Sequence, residues 1–435
     1  VDIDRWLARP PRVAGRRAVR TLSQALADQP QTNLVVISVP GAYAAKEAEA
    51  ALEDGRNVFL FSNNVSIEDE VRLKQRAQQQ GLIVMGPDCG TAIIGGAGIG
   101  FANVVRKGPV GAIGVAGTGL QEFTSLVHQY GSGVSQAIGT GGRDLSDPVG
   151  GITALKSLGV LQEDPDTEVI GLISKPPGER TLLRLNQAMI DSNKPVVACL
   201  LGIKGGTLKT GGSLQIARTI EDTAVKATEL VGVHAGKAGR SGPEEMKSRI
   251  ERERVKLAPD QKFIRGVFAG GTFCYQAQQV LGDLGLMTYS NAPLPGMSSL
   301  ADARKSQGHT CVDMGDDFFT RSRPHPMIDA SLRNERILDE AGDPEVAVLL
   351  LDFVLGYNAS SDPVGDMLDT ISQSKAIAEK SGHHLAVVAS VCGTDEDPQD
   401  RQSQIQKLEG ADVIVAPSSA QAAEFAGSLV AELNE

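Results

Sequence analysis

Positive charge, aromatic rings and cysteine are all in short supply in this chain, and each shortage closes off a class of function. There are 42 lysines and arginines against 53 aspartates and glutamates, a net charge of −11. Nothing therefore draws the chain to nucleic acid or to an anionic membrane surface. Any anion site has to be local, built from backbone N–H groups and a few placed cations. The five cysteines, Cys89, Cys199, Cys274, Cys311 and Cys392, form no CxxC pair, which argues against a disulfide framework or a zinc site. The six histidines show no HExxH-type spacing, so no metal is expected. No apolar run has the length of a bilayer span. No secretory leader is visible, although the chain starts at Val1, and the cytoplasm is the expected location.

What the chain has in quantity is glycine, with 49 residues against 4% aromatics. That composition suits an α/β fold with many tight strand-to-helix turns. Its length predicts two to four domains, and apolar runs alternate with amphipathic stretches throughout. Leu34–Val39, Asn57–Phe61 and Leu82–Met85 read as strands. Helices are expected at Tyr43–Glu53 and after Ser66, where early acids, later bases and Gly81 mark the two ends. This βαβα order predicts a parallel sheet in a first domain at 1–106. A second domain at 107–232 opens with the strand Val110–Val115. Residues 233–262 are polar and charged and read as a linker with one solvated helix. A third domain at 263–435 opens at Gly266–Ala269.

The third domain repeats the second. Both run strand, Gly-Thr loop, helix, second Gly-rich loop, Asp-Pro (Asp164-Pro165 and Asp343-Pro344) and apolar strand. Matches in that order predict a duplicated half. In each copy the first loop lies between a strand and a helix: Gly117-Thr118-Gly119 in one, Gly270-Gly271-Thr272 in the other. Glycine lets a backbone approach a ligand closely, and the first helical N–H groups have no internal partner. Such a start favours an anion, above all a phosphate. A single loop of this kind is equally compatible with a simple turn, whereas two at equivalent positions favour an anion site shared between the halves.

Longer motifs carry a family resemblance. VPGAY after Ser38, MGPDCG at Met85–Gly90, the loop at Ala116–Gly119, Asp164-Pro165 and KPVV at Lys194–Val197 resemble the α subunit of succinyl-CoA synthetase. Residues 266–430 resemble the CoA-ligase half of its β subunit. Together with IGTGGRDLSD, LISKPPGER and MGDDFFTRSRPHPMID, they resemble the FdrA family of acyl-CoA-synthetase-like proteins. The resemblance implies a Rossmann-like, CoA-binding-type domain followed by two flavodoxin-like domains of the succinyl-CoA-synthetase type. In those enzymes two helix starts bind the phosphate carried by a histidine. Here Thr207–Gly212 contains no histidine, and His234 lies beyond the following helix. Lys175 stands where the family carries the acid that supports the phosphohistidine. It reads either as a cation for a free phosphate or as a surface lysine. The Gly-rich CoA loop and any ATP-grasp domain are missing, so bound CoA is doubtful and no cofactor is assigned.

The resemblance implies a subunit of an oxamate carbamoyltransferase, binding phosphate or carbamoyl phosphate and working with partner subunits or as a homo-oligomer. Such a reaction needs an anion site, cations on the leaving phosphate and donors on the carbonyl oxygen. The alternatives are an acyl-CoA synthetase-like ligase that takes its nucleotide site from partners, and a non-catalytic phosphate-binding scaffold. Further candidate residues follow from position. In Gly141-Gly142-Arg143-Asp144, Arg143 is a clamp for a carboxylate or phosphate with Asp144 orienting it, or the two are a local pair with a helix cap. Asp316 and Asp317 occupy the matching place in the repeat. His325, between prolines and beside Arg323, is the general acid/base candidate, or part of a rigid turn. Asp88, Cys89 and Gly90 end a parallel strand, where ligands bind. Asp352 is taken as the counterpart of Lys175 and its partner across the site.

Overall fold

The computed structural model describes residues 19, 21–203, 207–234, 243–321 and 323–431. The first unit opens with α1 (Leu22–Asp28), β1 (Leu34–Ile37), α2 (Gly41–Glu53), β2 (Asn57–Leu60), α3 (Ile67–Gln79) and β3 (Val84–Met85). Its strands form a parallel sheet in the order β1-β2-β3. Ser66 caps α3 by accepting the Asp69 N–H at 3.0 Å, with Glu68, Asp69 and Glu70 in the first turn. These side chains satisfy the orphan donors and the positive end of the helix dipole. The next hairpin, β4 (Thr91–Ile94) and β5 (Ala97–Gly100), falls within the segment expected as the first domain. It pairs instead with the second sheet, through Ile93 opposite Ala137.

The second sheet adds β6 (Lys107–Gly114), β7 (Val134–Gly139), β8 (Val169–Ser174), β9 (Val196–Leu200) and β10 (Leu214–Ile216). Its helices are α4 (Gly117–Gln129), α5 (Ile152–Glu163), α6 (Glu179–Ile190) and α7 (Ile220–Leu230). After α8 (Pro243–Arg254), the third sheet repeats the plan with β11 (Phe263–Phe268), α9 (Gly271–Asp283), β14 (His309–Asp313), β15 (Val346–Val354), β16 (Ala386–Cys392) and β17 (Ile414–Ala416). Here β12 (Thr288–Ser290) and β13 (Ser298–Ser299) extend one edge. Leaving out the added strands β4, β5, β12 and β13, the strands β6 to β10 and the strands β11, β14, β15, β16 and β17 both run 2-1-3-4-5, the flavodoxin-like order. Every position of β8, β9 and β15 is buried, which is why these strands read as unbroken apolar runs rather than alternating ones.

The duplication is also visible in how the halves join. Glu122 and Gln276 are each the sixth residue of their helices, α4 and α9. The Glu122 carboxylate accepts the Ser419 N–H at 2.8 Å and its hydroxyl at 2.7 Å, where α14 (Ser419–Ala431) begins. The Gln276 side-chain oxygen accepts the Ile220 N–H at 2.8 Å, where α7 begins. Each half thus caps the last helix of the other, and the starts of α4 and α9 are brought face to face. Burial pushes the Glu122 carboxyl up to about 7, against the bonds from Ser419.

Helix α8 falls in the segment expected as a linker with one solvated helix, and Glu244, Glu245, Lys247, Ser248, Glu251 and Arg252 are exposed on it, while one face is docked. Ile250 is buried, and Arg254 donates at 2.7 Å to the Ser428 carbonyl near the end of α14. The preceding residues 235–242 lie outside the described chain.

Candidate functional site

The two Gly-Thr loops meet. A methyl group on Gly119 would lie 2.7 Å from the Thr272 methyl, and one on Gly270 would lie 2.8 Å from Thr118 Oγ1. Only glycine allows this interlock. Gly117, Thr118 and Gly119 are the first three residues of α4, and Gly271 and Thr272 the first two of α9. Among the described residues, the N–H groups of Ala116, Gly117 and Thr118 have no hydrogen-bond partner. The Thr272 hydroxyl is buried and also unpartnered. Gly90 closes one side, its side-chain direction facing the Gly117 Cα at 3.7 Å. The expected pair of helix starts is therefore assembled in space, with polar groups left for a ligand.

Lys175 lies one residue beyond β8, beside β6, where the strand order reverses. Parallel sheets bind ligands at this point. Its ammonium is 5.5 Å from the Tyr275 ring centroid and has no hydrogen bond or ion pair among the described residues. A methyl on Gly142 would sit 3.8 Å from Nζ, and one on Gly271 would sit 3.5 Å from it. Burial disfavours its charge, but Asp313, Tyr275, Asp88 and Asp316 outweigh burial and hold its pKa above the ordinary value. Lys175 is thus a charged donor facing the loops.

Carboxylates crowd this cation. Asp313, the last residue of β14, is buried and accepts the Gly315 N–H at 2.9 Å. Burial pushes it up to about 6, opposed by Lys175 and assisted by Asp316. Asp88 has a positive φ of 56° and stays open to solvent while protein surrounds it, the situation of a residue in a cleft. That crowding raises its carboxyl, against Lys175. Asp316 caps the short helix α10 (Asp317–Thr320) through the Phe318 N–H at 2.9 Å. Asp317 is exposed and accepts from Asn63 at 3.2 Å. Sequence reasoning missed Asp313 and Tyr275; the available signal was Asp313's place at the end of a parallel strand, the argument used for Asp88.

His325 reaches the same cleft. Its Nδ1 accepts the Met327 N–H at 3.2 Å, which assigns the ring proton to Nε2. A methyl on Gly315 would lie 2.7 Å from Nε2 and 3.2 Å from Asp313 Oδ1, so both groups flank one point. Burial, with Arg333, holds the imidazole down to about 4. It is neutral at neutral pH and acts there as an N–H donor, not a cation. Arg323 is exposed, and among the described residues it makes no ion pair.

Several expected site residues serve the scaffold instead. Arg143 pairs with Glu70 at 2.9 Å and donates to the Val65 carbonyl at 2.8 Å. Asp144 is fully buried, pairs with Lys74 at 2.7 Å, and accepts the Thr153 and Ala154 N–H groups that start α5. It is a cap and a buried counter-ion, and Arg143 and Asp144 are not partners. Glu70 and Lys74 complete this network at 2.9 Å, tying α3 to the second sheet. Gly141 packs, at positive φ, against the Pro87 carbonyl, which leaves Gly142 to face Asp88 and Lys175. Cys89 points into the core, and burial pushes its thiol up to about 12, the opposite of an activated nucleophile.

Asp352 is also placed differently from expectation. Gly114 pairs with Ile173 and Val267 with Leu351, while α4 and α9 start three residues after Gly114 and Phe268. These registers make Ile173, not Lys175, the counterpart of Asp352. Asp352 is buried and paired with Arg333 at 2.9 Å, so it is no partner for Lys175.

A family model described as CoA-ligase matches residues 267–429. The chain is 46% identical over 399 residues to the uncharacterized protein YahF of Escherichia coli (strain K12), covering 92% of this chain and 77% of that protein. It is 27% identical over 181 residues to the α subunit of the ADP-forming succinate–CoA ligase of Methanothermobacter thermautotrophicus, covering 40% of this chain and 59% of that subunit. Among solved structures, the apo dinucleotide-forming acetyl-coenzyme A synthetase 1 of Ca. Korarchaeum cryptofilum matches with a TM-score of 0.39 and 15% identity, over 94% of this chain and 85% of that one.

Proposed function

The chain belongs to the family of E. coli YahF, and from that premise we propose that it is an acid–CoA-ligase-like enzyme which binds phosphate or an acyl phosphate between its two halves and works with partner subunits. The observation that carries this reading is the meeting of two helix starts beside Lys175. Unpaired N–H groups and an ammonium hold phosphate oxygens by charge-assisted bonds. The His325 Nε2–H and the raised Asp313 carboxyl then stand beside the reacting group, as donor and as proton acceptor. The relatives' names support the ligase class, since they include succinate–CoA and malate–CoA ligase α subunits.

Two departures shape the proposal. No histidine stands in the described stretch 207–216, so no phosphohistidine step is derived. At the start of α2, the helix that follows the first described strand, the space beside Gly41 is filled by the Asn63 and Asn64 carbonyl oxygens. Carbonyls repel a phosphate there, so this helix start does not fit a CoA diphosphate. These departures favour, as a second reading, a carbamoyl phosphate–oxamate exchange in which the free phosphate is held by Lys175 directly.

The test is phosphate release by the full chain, with and without the products of neighbouring genes. An acyl phosphate with CoA is one substrate pair, and carbamoyl phosphate with oxamate the other. CoA-dependent release supports the ligase reading; oxamate-dependent release alone replaces it with the second. Lys175→Glu is expected to weaken binding of inorganic phosphate by more than about tenfold, and unchanged affinity removes Lys175 from the site.

A further inference from the structure

The duplication gives the joint between the halves two seams, and they are closed differently. Where the end of α9 meets the turn into α7, a cavity of about 820 Å³ is lined by Met246 and Ile250 of α8. Arg218 and Asp283 pair there at 2.6 Å. Where the end of α4 meets the turn into α14, a cavity of about 490 Å³ has, among the described residues, neither device. Asp283 is the thirteenth residue of α9 and Gln129 the thirteenth of α4. Arg218 stands two residues before α7, and Pro417 two before α14. The matching positions thus carry an amide and a proline, and the Gln129 side chain is spent on the Gly393 carbonyl at 2.7 Å.

Charge enters this second cavity from other elements. Arg401 opens the helix Arg401–Gly410 and is mostly buried. Its Nε donates to the Val391 carbonyl at 3.1 Å, and its two terminal nitrogens have no partner among the described residues. Burial lowers its pKa, against Asp395. Arg106 donates to the His128 and Ser132 carbonyls at 2.8 and 3.0 Å and likewise has no ion pair among the described residues. His128 accepts the Arg106 N–H at Nδ1, and burial with Arg106 keeps the imidazole below its ordinary pKa. The two guanidinium groups are therefore the cavity's cations. A mostly buried arginine without a carboxylate is unusual, all the more in a chain with 53 acids against 42 bases.

We propose that this cavity binds a small monocarboxylate with an apolar body, held end-on by the free nitrogens of Arg401. Two parallel N–H groups match the two oxygens of a carboxylate. Tyr130, Ile405, Val415 and Pro417 supply apolar wall for the body, and the volume is that of a small-molecule site. Asp395 and Glu409 also line the cavity and are exposed, so a second negative charge on the ligand is repelled. That selects a monocarboxylate over a phosphate dianion. The site lies at the opposite end of α4 from Gly117, roughly 18 Å away at 1.5 Å per residue, and is separate from the cleft around Lys175. Its occupant touches Pro417, two residues before Ser419, whose N–H and hydroxyl bond Glu122. A carboxylate bound here therefore bears on the joint between the halves.

The probes are isovalerate, a branched monocarboxylate, and isovaleramide, its uncharged analogue. Titration into the full chain, followed by ligand-detected NMR, is expected to show saturable isovalerate binding at least about tenfold tighter than that of isovaleramide. Inorganic phosphate is expected not to displace it. Arg401→Gln is expected to weaken isovalerate binding by more than about tenfold, and Lys175→Glu to leave it within about threefold. No isovalerate binding by the wild type, or equal binding of the amide, overturns the proposal and leaves the reading of the cleft standing. Displacement by phosphate, or loss in K175E with binding kept in R401Q, places the carboxylate in the cleft and overturns it as well. If Arg401→Gln fails to fold, the wild type's preference for isovalerate and its survival in K175E decide.

Discussion

Glu122→Gln tests the joint between the halves. Glu122 is 4% exposed, and its carboxyl titrates at about 7 against an ordinary value of 4.5. Burial is the main cause, with Glu221 adding repulsion and the Ser419 and Gln276 bonds opposing. That gap corresponds to roughly 3 kcal/mol favouring the protonated carboxyl in the folded state. The folded pKa is raised, so this contribution is fully present below pH 4.5 and lost as pH rises through about 7. Glutamine at this position imitates the protonated carboxyl and does not titrate. The repeat already uses it, since Gln276 is the equivalent residue on α9 and also caps the opposite half. Glu122→Gln is therefore expected to match the wild type near pH 5 and to exceed it by about 2–3 kcal/mol near pH 8.5. Urea unfolding monitored at both pH values measures the difference. An equal gap at both would refute the claim that an ionised Glu122 is what destabilises the joint.

Three further outcomes are expected. Lys74→Met leaves Glu70 and Asp144 buried, both 0% exposed, without their shared cation, and should destabilise the chain by about 3–5 kcal/mol; a loss below about 1 kcal/mol would show that the network relaxes. Gly119→Ala drives a methyl to 2.7 Å from Thr272 and 3.0 Å from Ile173, so it should cost about 1–3 kcal/mol and weaken phosphate binding, with melting and calorimetry as the readouts. Because Asp313 ionises at about 6 beside the anion seat, binding of sulfate, a probe that does not titrate here, should weaken several-fold between about pH 5 and pH 7. Asp313→Asn should flatten that profile, and a profile unchanged by the substitution would remove Asp313 from the seat.

The amino-acid sequence by itself determined the local architecture. Buried apolar runs such as Val169–Ser174 and Val346–Val354 announce strands, because a strand covered on both faces needs no polar alternation. Gly119, Gly270 and Gly271 mark the helix starts, because only a residue without a side chain survives the contacts made there. The duplication was legible for the same reason, since each copy repeats its local requirements in the same order.

Only the tertiary structure decided which charges meet. Arg143 and Asp144 are neighbours in sequence yet bond to different partners, and the Lys74–Asp144 pair spans 70 residues. A charged side chain is placed by whatever elements pack around it, and its own sequence context carries no trace of a partner so far away. The same holds for Asp352, which two registers make the counterpart of Ile173 and not of Lys175. It holds too for Asp313, which becomes part of the cleft only when β14 ends beside Lys175. Backbone chemistry and apolar pattern act over a few residues and so can be read along the chain. Electrostatic pairing acts through space, and it required the fold.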